Sequence, residues 1–319
     1  MRIISLLPAA TSIVETLGGG AELVAVSHAC RPAHAGLTRL TRSRVPEHLD
    51  AAETDAAVRR LLAAGTPLFE LDEATLVSLR PDVVLTQSLC EVCAYDGRSL
   101  SQRLRSDCPN TLVVQWSPTT LDDVVGGIGR IANAVGRPRE GIELVRRMRL
   151  QLFDLCLEST LDGPAVTVVF LEWLEPLFCA GHWIPELVQL AGGRELLGRA
   201  GERSTPITPQ QLLAADPDVL LVACCGWPAE RSRASVERLG ERPWWRRLRA
   251  VQSGSVYVLD AQQSLTQPDT TLVDAARMMS AVLRHARGRG AVRPREVASA
   301  PAAGSTQPRD ARGTSEPPN

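Results

Sequence analysis

The sequence predicts an α/β protein: two Rossmann-like lobes with mainly parallel sheets, joined by one long helix, with a ligand cleft between the lobes. Three observations carry this. Short apolar runs of β type alternate with helical periods in both halves of the chain. Between Thr119 and Glu158 the period is helical, broken only at Gly136-Arg137-Pro138. The length of 319 residues exceeds one average domain and suffices for two, each large enough to bury its own core.

Ile3-Ile4-Ser5-Leu6-Leu7 reads as the first strand. A helix follows from Pro8, with Ile13, Val14 and Leu17 on one face and Gly18-Gly19-Gly20 ending it. Leu23–Val26 is a second strand that delivers Ser27-His28-Ala29-Cys30 into a loop. The polar stretch from Arg31 to Glu53 reads as irregular, and Asp55 to Ala63 as a short helix. After Leu68–Leu71, a helix from Asp72 stops at Pro81, because the residue before a proline is pushed out of the helical region. Asp82 to Gln87 is a strand, Arg98 to Arg105 a helix and Leu112–Gln115 a strand.

Leu121, Val124, Val125, Ile128, Ile131 and Val135 then share a helical face. After the Gly-Arg-Pro break, Ile142, Val145, Met148, Leu152, Leu155 and Cys156 continue it. About 20 residues of helix span about 30 Å at 1.5 Å per residue, enough to bridge two lobes. Gly163-Pro164 opens a second set: strands at Val166–Leu171, Asp218–Val222 and Val256–Leu259, with helices at Trp183–Leu190, Pro209–Ala215 and Pro268–His285. The expected organisation is an N-terminal lobe over 1–118, a helical connector over 119–160, a C-terminal lobe over 161–287 and a disordered tail over 288–319. The tail is Arg, Gly, Ala, Pro and Ser with no apolar period. An internal repeat supports two lobes. Leu76 to Leu85 and Leu212 to Leu221 both read helix, Pro-Asp turn, apolar strand; such a junction is also a generic connection in α/β proteins.

Net charge is −1, so no overall field draws the chain to nucleic acid or an anionic membrane. All 35 basic residues are arginine, which fits a GC-rich genome. The chain opens Met1-Arg2-Ile-Ile-Ser-Leu-Leu-Pro8, too short an apolar run for a secretory signal, and no run reaches the roughly 18 apolar residues of a membrane span. The expectation is a cytoplasmic protein, periplasmic only if translation starts upstream. Its eight cysteines are then free thiols or ligands rather than disulfides.

Candidate site residues fall in loops after strands. Ser88 to Asp96 holds Cys90, Glu91 and Cys93; later loops hold Cys179, His182, Trp183, Cys224, Cys225 and Trp227. Cys90-Glu-Val-Cys93 is half of a zinc site, a redox pair or two small buried residues at a loop base. A zinc or other metal site would draw its remaining ligands from His28, Cys30, Cys179, His182, Cys224 and Cys225. The two histidines offer neutral imidazoles to a transition metal, or bond within their loops. Trp116, Trp173, Trp183 and Trp227 supply indole area for a large flat ligand, or pack the core. Trp244-Trp245 reads as a helix start with one ring buried, outside the site. Glu172 and Glu175 flank Trp173 without a nucleophile beside them. No Gly-rich phosphate loop or Gly-x-Ser-x-Gly elbow occurs, and Gly126-Gly-Ile-Gly129 is a packing feature inside a helix. The arginine runs lack the aromatic interleaving of a nucleic-acid site.

On Arg2 to Gly18, the two Pro-Asp-Val-like junctions and Val256 to Asp260, the chain resembles the class III substrate-binding proteins, the cobalamin- and iron-siderophore-binding domain. The resemblance spans roughly residues 1–287. Within that family, Ser27–Cys30, Gln87–Cys93, Glu172–Pro176 and Ala180–Glu186 resemble a signal-less branch of cobalamin-binding proteins. The resemblance implies two α/β lobes on one long helix with ligand between them, a corrinoid (cobalamin) as ligand, and no enzymatic activity. Ligand contact is expected from Trp116, Trp173, His182, Trp183, Trp227, His28, Cys90, Glu91 and Cys93, with Cys90, Cys93, His28, His182 and Cys224 as the metal set. Secreted members dock on an ABC permease through an acidic residue on each lobe; Glu91 and Glu230 occupy roughly those loops. The single long helix implies a largely preformed cleft. Two rival expectations remain open: a binding protein for haem, an iron chelate or a metal ion, and a thiol-dependent enzyme or corrinoid-handling chaperone using Cys90 and Cys93.

Overall fold

The computed structural model describes residues 1–87, 100, 104, 106–261 and 267–288. In chain order the N-terminal lobe contains β1 (Ile3–Ser5), α1 (Pro8–Thr16), β2 (Leu23–Val26), β3 (Thr38–Arg39), β4 (Thr41–Ser43), α2 (Ala51–Ala63), β5 (Phe69–Leu71), α3 (Glu73–Ser78), β6 (Val83–Thr86) and β7 (Leu112–Gln115). The connector is α4 (Leu121–Ala134) and α5 (Pro138–Leu161). The C-terminal lobe contains β8 (Val166–Leu174), β9 (Leu177–Cys179), α6 (Ile184–Leu190), β10 (Gly193–Glu195), β11 (Thr205–Pro206), α7 (Pro209–Ala215), β12 (Val219–Val222), α8 (Ala229–Leu239), α9 (Arg249–Gln252), β13 (Val256–Val258) and α10 (Leu272–Gly288).

The first sheet has the order β3-β2-β1-β6-β7, and all its pairings are parallel. The second has the order β11-β9-β8-β12-β13, with β10 also on β8. Its centre is parallel, while β9 and β11 turn back as antiparallel edge strands. Fully buried β1, β6 and β12 are apolar except for Ser5 and Thr86 at the ends of the first two, as expected where helices cover both faces of a parallel sheet.

The repeat has a matching geometry in both lobes. The residue before each Pro-Asp turn is left-handed, Arg80 at φ 43° and Asp216 at φ 37°. The aspartate of each turn then accepts an N–H from the central strand's start: Asp82 from Arg2 at 2.7 Å, Asp218 from Thr167 at 3.1 Å.

One apolar core runs through both lobes and the connector. It joins Ile3 and Val83 to Ile128 of α4, Met148 of α5, Val168 of β8 and Met279 of α10, all buried. Smaller cores lie on the opposite face of each sheet. The connector is fixed at its start as well: Thr120 and Asp123 form a capping box on α4, and Glu186 of α6 accepts the Leu121 N–H at 2.7 Å.

The structure departs from the sequence reading in several places, among them α8 and the strands β9, β10 and β11, which the sequence reading lacks, and the last helix, which starts at Leu272 and not at Pro268. The stretch read as irregular from Arg31 to Glu53 contains β3 and β4. The helix read from Asp55 starts at Ala51, because Asp50 and Glu53 form a capping box there. Ile142 leaves the buried face of α5 and stands 70% exposed, since Gly141, Leu144 and Met148 make the core contact. Most of the helix read over Arg98–Arg105, and the tail beyond residue 288, lie outside the described residues.

Candidate functional site

Both sheets reverse their strand order at the centre, between β1 and β6 in one lobe and between β8 and β12 in the other. Ligands of open α/β sheets sit outside the carboxyl ends of the strands at such a reversal. Here those ends carry Leu6, Leu7 and Gln87 from one lobe, and Glu172, Trp173 and Ala223–Cys225 from the other.

A set of contacts ties the lobes together beside this crevice. The Trp173 indole Nε1 donates to the Ala51 carbonyl at 3.2 Å and to the Glu175 carbonyl at 3.2 Å. Trp173 and Trp227 pack with centroids 4.7 Å apart at 60°. The Arg231 guanidinium lies 3.6 Å over the Trp227 ring, and it donates to the Leu49 carbonyl. Leu49 to Ala51 are held in place by the Asp50–Glu53 capping box at the start of α2. Ala51 is fully buried in the apolar cluster on the outer face of the C-terminal sheet. A segment of the N-terminal lobe is therefore seated on a Trp-Trp-Arg stack of the other lobe.

Next to it lies a recess of about 430 Å³, lined by His28, Arg39, Thr41, Arg42, Ser43, Val45, Pro46 and Glu47. His28 follows β2 and is half-buried. Its ring packs on Phe69 at 5.3 Å, and its Nδ1 lies 2.7 Å from Thr41 Oγ1. Thr41 Oγ1 also accepts the His28 backbone N–H at 2.9 Å. Burial lowers the His28 pKa, opposed by Glu47 and aided by Arg39. The charge of Glu47 reaches both His28 and Arg231, so the recess and the interlobe stack adjoin.

The other expected site residues are distributed as follows. Trp116 is 2% exposed; its Nε1 donates to the Asp123 carbonyl at 3.3 Å and its ring fills the space over Gly127. Trp183 is buried in the main core as the residue that starts α6. His182 precedes it at φ 53°, with its N–H donating to the Glu202 carbonyl at 2.6 Å and its own carbonyl accepting from Gly201 at 3.0 Å. Burial lowers the His182 pKa, with Arg203 adding to the effect.

The described thiols are each bound into their own surroundings. Cys30 Sγ lies 3.1 Å from both Ser27 Oγ and Thr11 Oγ1, and burial raises its pKa. Cys179 Sγ meets Thr205 Oγ1 at 3.3 Å. Cys224 is fully buried, its thiol pushed up to about 12 by burial. Cys225 sits beside it, with its N–H bonded to the Glu172 carbonyl at 3.0 Å. His28, His182 and Cys224 do not form a three-ligand group, and among the described residues no three His, Cys, Asp or Glu side chains do. Cys90, Glu91 and Cys93 lie outside the described residues. Trp244 and Trp245 pack edge to face at 5.7 Å, with Trp245 buried. Sequence reasoning passed over Arg231, Thr41 and the Leu49–Ala51 segment. The one available signal was the Asp50-x-x-Glu53 spacing, which announces a helix start.

Two α/β lobes on a long helix, with loops of both lobes meeting beside a central crevice, define the class of two-lobed solute-binding proteins. The chain belongs to the periplasmic binding protein family, whose model matches residues 3–263. It is 24% identical over 286 residues to the vitamin B12-binding protein of Vibrio cholerae, covering 89% of each chain. It is 22% identical over 185 residues to the Fe(3+)-citrate-binding protein YfmC of Bacillus subtilis, covering 57% of this chain and 55% of that one. Among solved structures, the periplasmic vitamin B12-binding protein BtuF of Vibrio cholerae superposes with a TM-score of 0.65 at 23% identity, over 90% of this chain and 98% of that one. The periplasmic haem-binding protein BhuT, solved with two haems, gives a TM-score of 0.67 at 20% identity, over 89% and 98%. At these identities the structural matches establish the fold. Among the described residues no helix is long and apolar enough to cross a membrane.

Proposed function

We propose that this chain is a binding protein, not an enzyme, and that it holds a corrinoid such as cobalamin in the crevice between its lobes. The observation that carries the reading is the half-buried His28 imidazole, which lines a recess at the interlobe boundary. Trp173 and Trp227 support that boundary from the other lobe by seating the Leu49–Ala51 segment. In the tautomer with hydrogen on Nδ1, that N–H donates a hydrogen bond to Thr41 Oγ1 and Nε2 carries the free lone pair. A second bond on the far nitrogen is the usual support of a metal-directed histidine. His28 Nε2 has no hydrogen-bond partner among the described residues. The metal would arrive with the ligand, already held in its macrocycle, so no cluster of protein ligands is needed.

A second reading is a haem or iron-chelate carrier. Arg39 and Arg42 line the recess beside His28, and guanidinium groups suit the carboxylates of such ligands. A thiol-dependent activity would fall to Cys90 and Cys93, since burial raises the thiol pKa of Cys30 and Cys224. If a permease is the partner, Glu230 is available to it, exposed in the first turn of α8.

Calorimetric titration of the full chain with cobalamin and, separately, haemin tests the proposal. Saturable one-to-one binding of cobalamin is expected. Haemin binding without cobalamin binding at high micromolar ligand supports the second reading, and stoichiometric zinc in the purified chain without corrinoid uptake would overturn both.

A further inference from the structure

The long helix α5 is apolar on two opposite faces. One face carries Leu144, Met148, Leu152 and Leu155 into the core. The other carries Ile142, Leu150, Phe153, Leu157 and Leu161, exposed by 70%, 53%, 59%, 51% and 87%. From Leu150 onward their spacing is three, four and four residues, which keeps them in one stripe along the helix. A polar residue at these positions would cost the monomer nothing, so an outward stripe of Leu, Ile and Phe calls for an occupant.

The charges around the stripe say which. The first half of α5 carries Arg139, Arg146, Arg147 and Arg149 against Glu140 and Glu143, and is net basic. The second half, with its capping residue, carries Asp154, Glu158 and Asp162 and no basic residue. A helix that is basic at one end and acidic at the other complements itself when antiparallel. A two-fold axis between Gln151 and Leu152 sets Leu150 against Phe153 and Ile142 against Leu161. On one flank the same axis brings Arg147 alongside Asp154 of the other copy. It also lays the aliphatic stem of Arg146 over Leu157, with its guanidinium near Glu158 of the other copy. Among the described residues neither Arg147 nor Asp154 is in an ion pair within one chain, and Glu158 lies 3.8 Å from Arg284, so these groups keep charge to share.

We propose that a second copy of this chain docks on the outer face of α5, antiparallel, forming an isologous dimer. None of the candidate ligand residues lies on this stripe, so the pairing leaves both clefts accessible. Residues 289–319 contain no Leu, Ile, Phe, Met or aromatic residue to fill it. One helix pair is smaller than the roughly 800 Å² per partner of a stable interface, so a reversible dimer is expected.

Sedimentation velocity of the full chain over a micromolar concentration series is the test. The sedimentation coefficient is expected to rise with concentration. Phe153→Glu removes two rings per dimer and is expected to weaken association by about 100-fold or more, while leaving the thermal midpoint of the dilute, monomeric chain unchanged. Arg147→Glu and Asp154→Arg should each weaken it, and the two together should restore it, because these two positions share a flank and meet only in the antiparallel arrangement. A monomer at every concentration, or a dimer indifferent to Phe153→Glu, overturns the proposal. The first outcome leaves the stripe to the chain's own tail or to a different protein.

Discussion

The Trp173 indole donates its N–H to the carbonyl of Ala51 at 3.2 Å, and this bond passes from one lobe to the other. Arg231 repeats the crossing at Leu49 while stacked on Trp227. Trp173→Phe keeps most of the ring and loses the donor. It is expected to lower stability by about 0.5–1.5 kcal/mol, the net worth of one hydrogen bond. Arg231→Ala removes a second crossing and a cation–π contact worth about 0.5–2 kcal/mol. A double-mutant cycle by urea denaturation should show the two coupled, because both seat the same segment. Strict additivity would mean that the two contacts act independently.

Among the described glycines, Gly127 has the closest neighbour, Trp116. A Cβ at Gly127 would stand 1.9 Å from Trp116 Nε1. Gly127→Ala is thus expected to destabilise by about 3 kcal/mol or more, since the ring must leave its place or α4 must shift. The urea midpoint measures this. Trp116 substitutions are expected to act through stability, with ligand affinity unchanged in whatever fraction stays folded.

Burial lowers the pKa of both His28 and His182 from the ordinary histidine value of 6.5. In the window between each lowered value and 6.5, the unfolded chain binds more protons than the folded one. Stability from these groups is full above that window and falls as the pH drops through it. Thermal midpoints measured from pH 8 to 5 should decline on the acid side, and His28→Gln should flatten part of the decline. Cobalamin affinity should fall over the same range if His28 Nε2 meets the ligand, since only the neutral ring carries a lone pair.

The Cys224 thiol, buried and pushed up to about 12, is expected to resist alkylation in the folded chain at pH 8. Mass spectrometry after iodoacetamide treatment, with and without denaturant, checks this. Rapid labelling of Cys224 in the native chain would show that its loop opens.

The central architecture was legible because its signals are local. The apolar runs at Val83–Thr86 and Val219–Val222 announce buried parallel strands, and the Gly136-Arg137-Pro138 break marks the turn into the long helix. What escaped depends on pairing across distance. β3 and β4 are two and three residues long and polar, so only their partners make them strands. Ile142 looks like a core position by period, yet the helix face is chosen by what lies opposite, and Gly141 meets Ala132 of α4 there. Trp116 and Trp173 both end strands, and sequence treats them alike. One is sealed by a glycine eleven residues later; the other reaches Ala51, more than a hundred residues earlier, through a bond that no local pattern encodes. The Asp50–Glu53 box, by contrast, was readable and decides where that bond can land.

The apolar core that passes from Ile3 through Ile128 and Met148 to Met279 has a bearing on how this molecule comes into being. During synthesis α1 emerges before α4, the helix that packs on it, and α5 before α10, which packs on α5. The connector stays partly bare until the helix at Leu272–Gly288 has been made. Neither half is a finished object that could be exchanged, shortened or inherited separately.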